Sequence, residues 1–153
     1  MVKSPGKRVW KHLTELKNTG GVYAFIVPVV HFDQRTIHLH APKSAQIPFT
    51  FAVNPLPVNH ALGVVYVGRA TKLKQRFQFH FAIGGRKYGG QVKHGLKDCG
   101  LVQTEEAAVM WMLENAKIVY HDMPEPEQTA NRDLVELTLC SKHMPPFNVK
   151  SER

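Results

Sequence analysis

The sequence predicts one α+β domain in which three strands and three or four helices pack layer on layer. Three observations predict it. Two β-branched and aromatic runs, GVYAFIVPVV at 21–30 and LGVVYVG at 62–68, read as buried strands. Segments with apolar residues at helical spacing alternate with the strands. No repeat or linker composition divides the 153 residues, a length that buries a core without disulfide or metal staples.

At the N-terminus, residues 6–18, GKRVWKHLTELKN, set Val9, Leu13 and Leu16 at helical spacing among basic residues, giving an N-terminal helix within 1–19 stopped by Thr19-Gly20-Gly21. After the first strand, residues 28–61 read as an insertion, an extended loop or hairpin. Within it RTIHLHA and FTFAV are candidate strands, and Pro42, Pro48, Pro55 and Pro57 break up the rest. The second strand ends at Gly68, and Thr71 is placed to cap a helix TKLKQRFQFHFAI. GGRKYGGQVKHGLKDCG, residues 84–100, reads as a basic glycine-rich loop. Thr104 opens EEAAVMWMLENA, a helix with acidic residues in its first turn, where the dipole favours them. AKIVYHDM gives a third strand and PEPEQ a turn. A last helix covers 129–143 and is closed by Met144-Pro145-Pro146-Phe147-Asn148.

Composition narrows the function. A net charge of +8 with pI near 9.7 adds self-repulsion to a compact domain but affinity for a polyanion, so nucleic acid is the first partner to consider. Cys99 and Cys140 form neither a disulfide framework nor a zinc spacing. No apolar run approaches the roughly 18 residues of a membrane span, and MVKSPGKRVWKH lacks the apolar stretch of a signal peptide. The expectation is a reduced, intracellular protein of the cytoplasm with no membrane partner.

Chemistry concentrates in an ordered set. On the helix after Gly68, Leu73, Phe77 and Phe81 share the core face, while Lys72, Arg76 and His80 form the neighbouring stripe at the rim of the sheet. Tyr23 lies in Gly-Val-Tyr and Tyr66 in Tyr-Val-Gly. Glu136 interrupts an apolar helical run, where an unpaired carboxylate is expensive, and Asn148 closes Pro-Pro-Phe-Asn twelve residues later. With Arg76 ten residues after Tyr66 and His80 four beyond, the set resembles a GIY-YIG nuclease domain over roughly residues 20–149. No single piece is specific; the ordered set is. The chain departs from many members in the forty or so residues between its tyrosine strands, where a short hairpin is common, and in valine for isoleucine in both motifs.

The resemblance implies a small central antiparallel sheet of three main strands flanked by helices, with the insertion between the first two. It implies a DNA endonuclease using one divalent metal, Mg²⁺ or Mn²⁺, held by Glu136 alone, a ligand number that suits a cation reluctant to dehydrate. The alternative for Glu136 is an ion pair with Arg132, four residues earlier. Arg76 would grip the scissile phosphate with its planar fork. Tyr23 would serve as base or orient the water, given positive charge to lower its pKa; His80, whose intrinsic pKa suits neutral pH, is the competing base. Tyr66 would support either by hydrogen bonding, and Asn148 would tie the C-terminal segment to this catalytic group or simply reflect turn chemistry.

Backbone contacts to DNA are expected from Arg69, Lys72, Lys74, Arg86, Lys87, Lys93 and Lys97, with His94 beside them. His38 and His40 alternate on one strand face and Asn59-His60 hints at another nuclease type, but neither has the remaining ligands of a site. Two further classes stay open: a non-catalytic nucleic-acid-binding module of the same fold, and strand transfer by a tyrosine nucleophile. One active site cuts one strand, so a double-strand break calls for a homodimer or two nicks.

Overall fold

The first core strand forms because its β-branched and aromatic residues fill both faces of a sheet at once, which only a central strand allows. The computed structural model describes Leu16 and residues 18–33, 35–39, 47–51, 53–83, 90–124 and 128–148. Its strands are β1 (Gly21–Pro28), β2 (Arg35–Leu39), β3 (Ile47–Phe51), β4 (Pro55–Leu56), β5 (Asn59–Ala70) and β6 (Lys117–Asp122). Its helices are α1 (Leu73–Phe81), α2 (Gln91–Asp98), α3 (Glu105–Asn115) and α4 (Thr129–His143). The fold is α+β, with a four-stranded antiparallel sheet in the order β4-β5-β1-β6.

Register sets the faces. Tyr23 lies opposite Gly68 on β5 and opposite Tyr120 on β6. Tyr23, Phe25 and Val27 therefore face one way, onto a core built from Leu73, Phe77 and Phe81 of α1, Val92 and Leu96 of α2, and Ala108, Val109 and Met112 of α3. Val22 and Ala24 face the other way with Val64, Val67 and Met123, under Val135, Leu139 and Cys140 of α4. The expected stripe Leu73–Phe77–Phe81 is the buried one.

Several boundaries differ from expectation for local reasons. The sheet gains a fourth strand, β4, and β5 begins at Asn59 rather than near 62, because a tight turn at 57–58 folds β4 back onto it. The insertion carries its own hairpin, β2 paired with β3 from Arg35↔Phe51 to Leu39↔Ile47. The segment expected as a loop at 84–100 contains α2: Val92 and Leu96 are fully buried one turn apart, a signal masked by the surrounding glycines. Gly95 is there for packing, since a Cβ would stand 2.3 Å from Cδ1 of Phe147. Thr71 does not cap α1. The first amides of that helix are taken by the 18–19 segment, Leu73 N donating to Thr19 O at 2.8 Å and Gln75 N to Asn18 Oδ1 at 3.3 Å. Thr104 does cap α3, its Oγ1 accepting from Ala107 N at 3.0 Å. The expected helix at 6–18 lies almost wholly outside the described residues.

β5 is bordered by β4 over its first residues only, and the chain end covers part of the remaining edge. Phe147 N donates to Val65 O at 2.9 Å. Asn148 then clamps one residue of the strand: its Oδ1 accepts from Val67 N at 2.9 Å and its Nδ2 donates to Val67 O at 2.7 Å. An amide side chain replaces a missing strand partner, and this stretch of the edge is covered. Asn148→Asp keeps the acceptor but sets a carboxylate against the Val67 carbonyl; it is expected to lower the unfolding free energy by about 1–3 kcal/mol, read from urea denaturation.

Candidate functional site

At the end of the sheet where β1 starts and β5 finishes, four elements bring polar groups into the core. Tyr23 enters from β1 and is 2 % exposed. It fits because β5 offers glycine opposite: a Cβ on Gly68 would sit 2.5 Å from the tyrosine Cζ and hydroxyl. His80 enters from α1, 3 % exposed, one turn beyond Arg76. The tyrosine hydroxyl and His80 Nε2 share a buried hydrogen bond of 2.7 Å. The imidazole is boxed by rings, with centroids 4.9 Å from Phe25, 5.5 Å from Tyr23 and 5.5 Å from Tyr66. Tyr66 is half-buried on β5, its ring centroid 6.1 Å from that of Tyr23.

Glu136 comes from α4, on the other face, and is 2 % exposed. Its Oε2 lies 3.2 Å from Arg69 Nε, and the same guanidinium bonds Asp133 through Nη1. The alternative pairing of Glu136 with Arg132 does not form. Arg132 instead donates from Nη1 to Met123 O and from Nη2 to Thr129 Oγ1, each at 2.9 Å. Arg76 stays exposed at the rim, and among the described residues no carboxylate pairs with it. It is close enough to lower the pKa values of both Tyr23 and His80.

The electrostatics leave the central pair neutral. Burial pushes the Tyr23 phenol well above its ordinary value, helped by the charge and hydrogen bond of Tyr66 and the charge of Glu136; Arg76 opposes this and loses. Burial, then Arg76 and Lys93, pull His80 down to about 3. Two expectations change here. Positive charge does not make the tyrosine acidic, and the histidine does not keep its intrinsic value. Desolvation decides both, overriding Arg76 at the tyrosine and adding to the cations at the histidine.

Of the residues expected to act, Tyr23, Tyr66 and His80 are in contact and Arg76 stands one turn before His80, while Glu136 lies on the other face of the sheet at the same end. Asn148, grouped with them from sequence, has both amide atoms on the Val67 peptide and positions the strand between Tyr66 and Gly68. Of the cations expected on DNA, Arg69 is committed to Asp133 and Glu136, and Lys93 is 2 % exposed, bonded to Ala82 O and Glu105. Lys93 is a correction, since the fold buries it against a carboxylate; Arg69 pairs with its carboxylates while its side chain stays 36 % exposed. Lys72 and Lys97 are exposed, Lys74 is half-buried, and Arg86 and Lys87 lie outside the described residues, as do the side chains of His38 and His40. Asp133 was the residue sequence reasoning missed; its spacing of three from Glu136 on one helix face was the available signal.

Among the described residues no group of three or more His, Cys, Asp or Glu side chains gathers to hold a metal ion. A site here would rest on Glu136 alone, a carboxylate deeply buried and oriented by Arg69. A lone carboxylate suits Mg²⁺ or Mn²⁺, which keep most of their waters, and not zinc; at 2 % exposure it meets a hydrated ion only if the rim opens. No described helix is long and apolar enough to cross a membrane.

The lowered His80 value has a stability consequence with a definite sign. Between pH 6.5 and about 3 the unfolded chain binds this proton and the folded chain does not. Stability is fully present above pH 6.5 and falls as pH falls through that window, by up to about 1.4 kcal/mol per unit. Urea denaturation at stepped pH is expected to show a shallower acid loss in His80→Gln than in wild type. No family model matches this chain, and no curated protein or solved structure matches it either.

Proposed function

We propose that this protein is a divalent-metal-dependent endonuclease that hydrolyses DNA phosphodiester bonds at the Tyr23–His80 end of its sheet. One observation carries the reading. A buried Tyr23–His80 hydrogen bond stands one helical turn from an exposed Arg76, with the buried Glu136 carboxylate at the same end of the sheet. A phosphoryl transfer needs a proton acceptor for water, a cation for the phosphoryl oxygens and help for the leaving oxygen.

In this reading Arg76 takes two oxygens of the scissile phosphate in its fork. Tyr66 and Tyr23 orient the attacking water. The water's proton passes to the Tyr23 oxygen as the phenol hands its own across 2.7 Å to His80 Nε2, so neither residue carries net charge before substrate arrives. Glu136 would hold Mg²⁺ or Mn²⁺, which supplies charge neutralisation at the phosphate and at the departing oxygen. Lys72, Lys74 and Lys97 contribute sequence-independent attraction for the backbone.

A second reading, a non-catalytic nucleic-acid-binding module, is favoured by one feature: Tyr23 and Glu136 are each 2 % exposed, so substrate reaches them only if the rim opens. Supercoiled plasmid distinguishes the two. The nuclease reading expects nicking or linearisation with Mg²⁺, none with EDTA, and a loss of about 10²-fold or more in Arg76→Ala and Glu136→Gln with the fold intact by circular dichroism. Plasmid retarded on a gel but never cut, in any of these conditions, selects the binding module. Folded variants cutting at the wild-type rate remove these residues from the reaction.

A further inference from the structure

Among the described residues, Lys93 is the one lysine the fold has taken inside. It is 2 % exposed, on the first turn of an eight-residue helix whose other face is open to solvent. Burying an ammonium is costly even beside a carboxylate, here Glu105 with its side chain 29 % exposed, and apolar residues of similar volume often serve stability as well or better. Packing alone therefore does not explain it. Its hydrogen bonds say where it acts. Nζ donates to Ala82 O and, at 3.0 Å, to Glu105 Oε1. Ala82 is the residue that closes α1, two positions after His80, and Glu105 is the first residue of α3.

We propose that Lys93 is a positioning residue for the Tyr23–His80 pair, its buried ammonium tying the end of the His80 helix to the start of α3. The functional half of this proposal rests on the nuclease reading; the structural half does not. The C-terminal carbonyls of a helix lack partners within it, and a cation there is favoured by the dipole as well. With Ala82 O held, the last turn of α1 cannot fray, and the embedded imidazole keeps its 2.7 Å contact with Tyr23.

The same charge bears on protonation. The groups that face His80 are Tyr23 and Phe25 from β1, Tyr66 from β5, Arg76 from its own helix, and, from the segment that begins α2, the Gly90 backbone and Lys93. Glu105 of α3 stands behind Lys93, and Glu136 of α4 acts on Tyr23. Two of these are cations, and both disfavour an imidazolium. A neutral ring is the form that accepts the Tyr23 proton, so Lys93 holds the acceptor in place and adds to the burial that keeps it uncharged.

The test reads His80 directly. Ring nitrogen signals of ¹⁵N-labelled wild type, followed by NMR from pH 8 down to 2.5, are expected to show His80 neutral until the pH nears its value of about 3. Lys93→Met, close in volume and uncharged, is expected to move its titration upward by half a unit or more, and Lys93→Met/Glu105→Gln to do the same without an unpaired carboxylate to blame. Lys93→Arg keeps the charge and is expected to hold the ring neutral. In plasmid cleavage, Lys93→Met is expected to shift the acid limb of the rate to higher pH with little change in KM. A wild-type His80 titrating near 6.5 overturns the proposal even if the variants fail to fold. So does a folded Lys93→Met whose ring signals and pH–rate profile match wild type. Wild type that cuts nothing while the ring shifts as expected sinks the nuclease reading and leaves the positioning role standing.

Discussion

The hydrogen bond between Tyr23 and His80 is the constraint around which this end of the molecule is arranged. Two polar groups stand inside a core of Phe25, Phe77, Phe81 and Leu73, where an unsatisfied hydroxyl is a substantial loss. To bring them within 2.7 Å, β5 must present no side chain opposite Tyr23, and Gly68 presents none. α1 must dock with His80 inward, and the Leu73–Phe77–Phe81 stripe fixes that rotation. Residues 18–19 hold the start of α1 and Lys93 holds its end. A pair buried this deeply specifies geometry more than it adds stability.

α4 inverts the usual partition of a surface helix. Arg132 and Glu136 point inward and are nearly inaccessible, while Leu134 and Leu137 are each 62 % exposed. The inward charges are both committed: Arg132 to the Met123 carbonyl and Thr129, Glu136 to Arg69. Arg132 also fills the space a side chain at Gly20 would need. The helix that seals the back of the sheet thus anchors the turn into β1 and brings a carboxylate to the same end of the sheet as Tyr23. A fold optimised for stability alone would have buried the leucines. Departures of this kind collect where a protein keeps groups for use.

How much of this was legible in the sequence depends on the range of each interaction. The strands around Tyr23 and Tyr66, the α4 boundaries, the Thr104 cap and the core stripe of α1 are local patterns, and each was readable. The set of Tyr23, Tyr66, Arg76, His80 and Glu136 was readable as spacing. What escaped was made by partners brought together by the fold. Arg69 reads as a phosphate contact, and only the fold sets Asp133 and Glu136 beside it. Lys93 looked solvated because glycines on both sides hid the Val92–Leu96 stripe that makes α2 a helix. Asn148 was readable as a tie, but its target, the Val67 peptide, is set by a crossing no local pattern encodes. The pKa directions escaped for the same reason, since burial is a tertiary property.

The electrostatic state of the pair says something about how such a site would have to work. With the phenol pushed up and the imidazole pulled down, transfer of the tyrosine proton to His80 is steeply uphill in the free protein. Arg76 is the exposed member of the set and bears on both groups. In the proposed reaction a phosphate seated on it offsets the guanidinium charge, which removes one of the two cations that keep His80 from accepting a proton. Lys93, bonded to protein and buried, remains. One cation is thus within reach of a bound anion and the other is not. Burial holds the base neutral in the free protein and both cations add to it, so a seated phosphate raises its readiness to take a proton by removing one of those additions. That arrangement would couple proton transfer to substrate binding without any movement of the backbone, through charge alone.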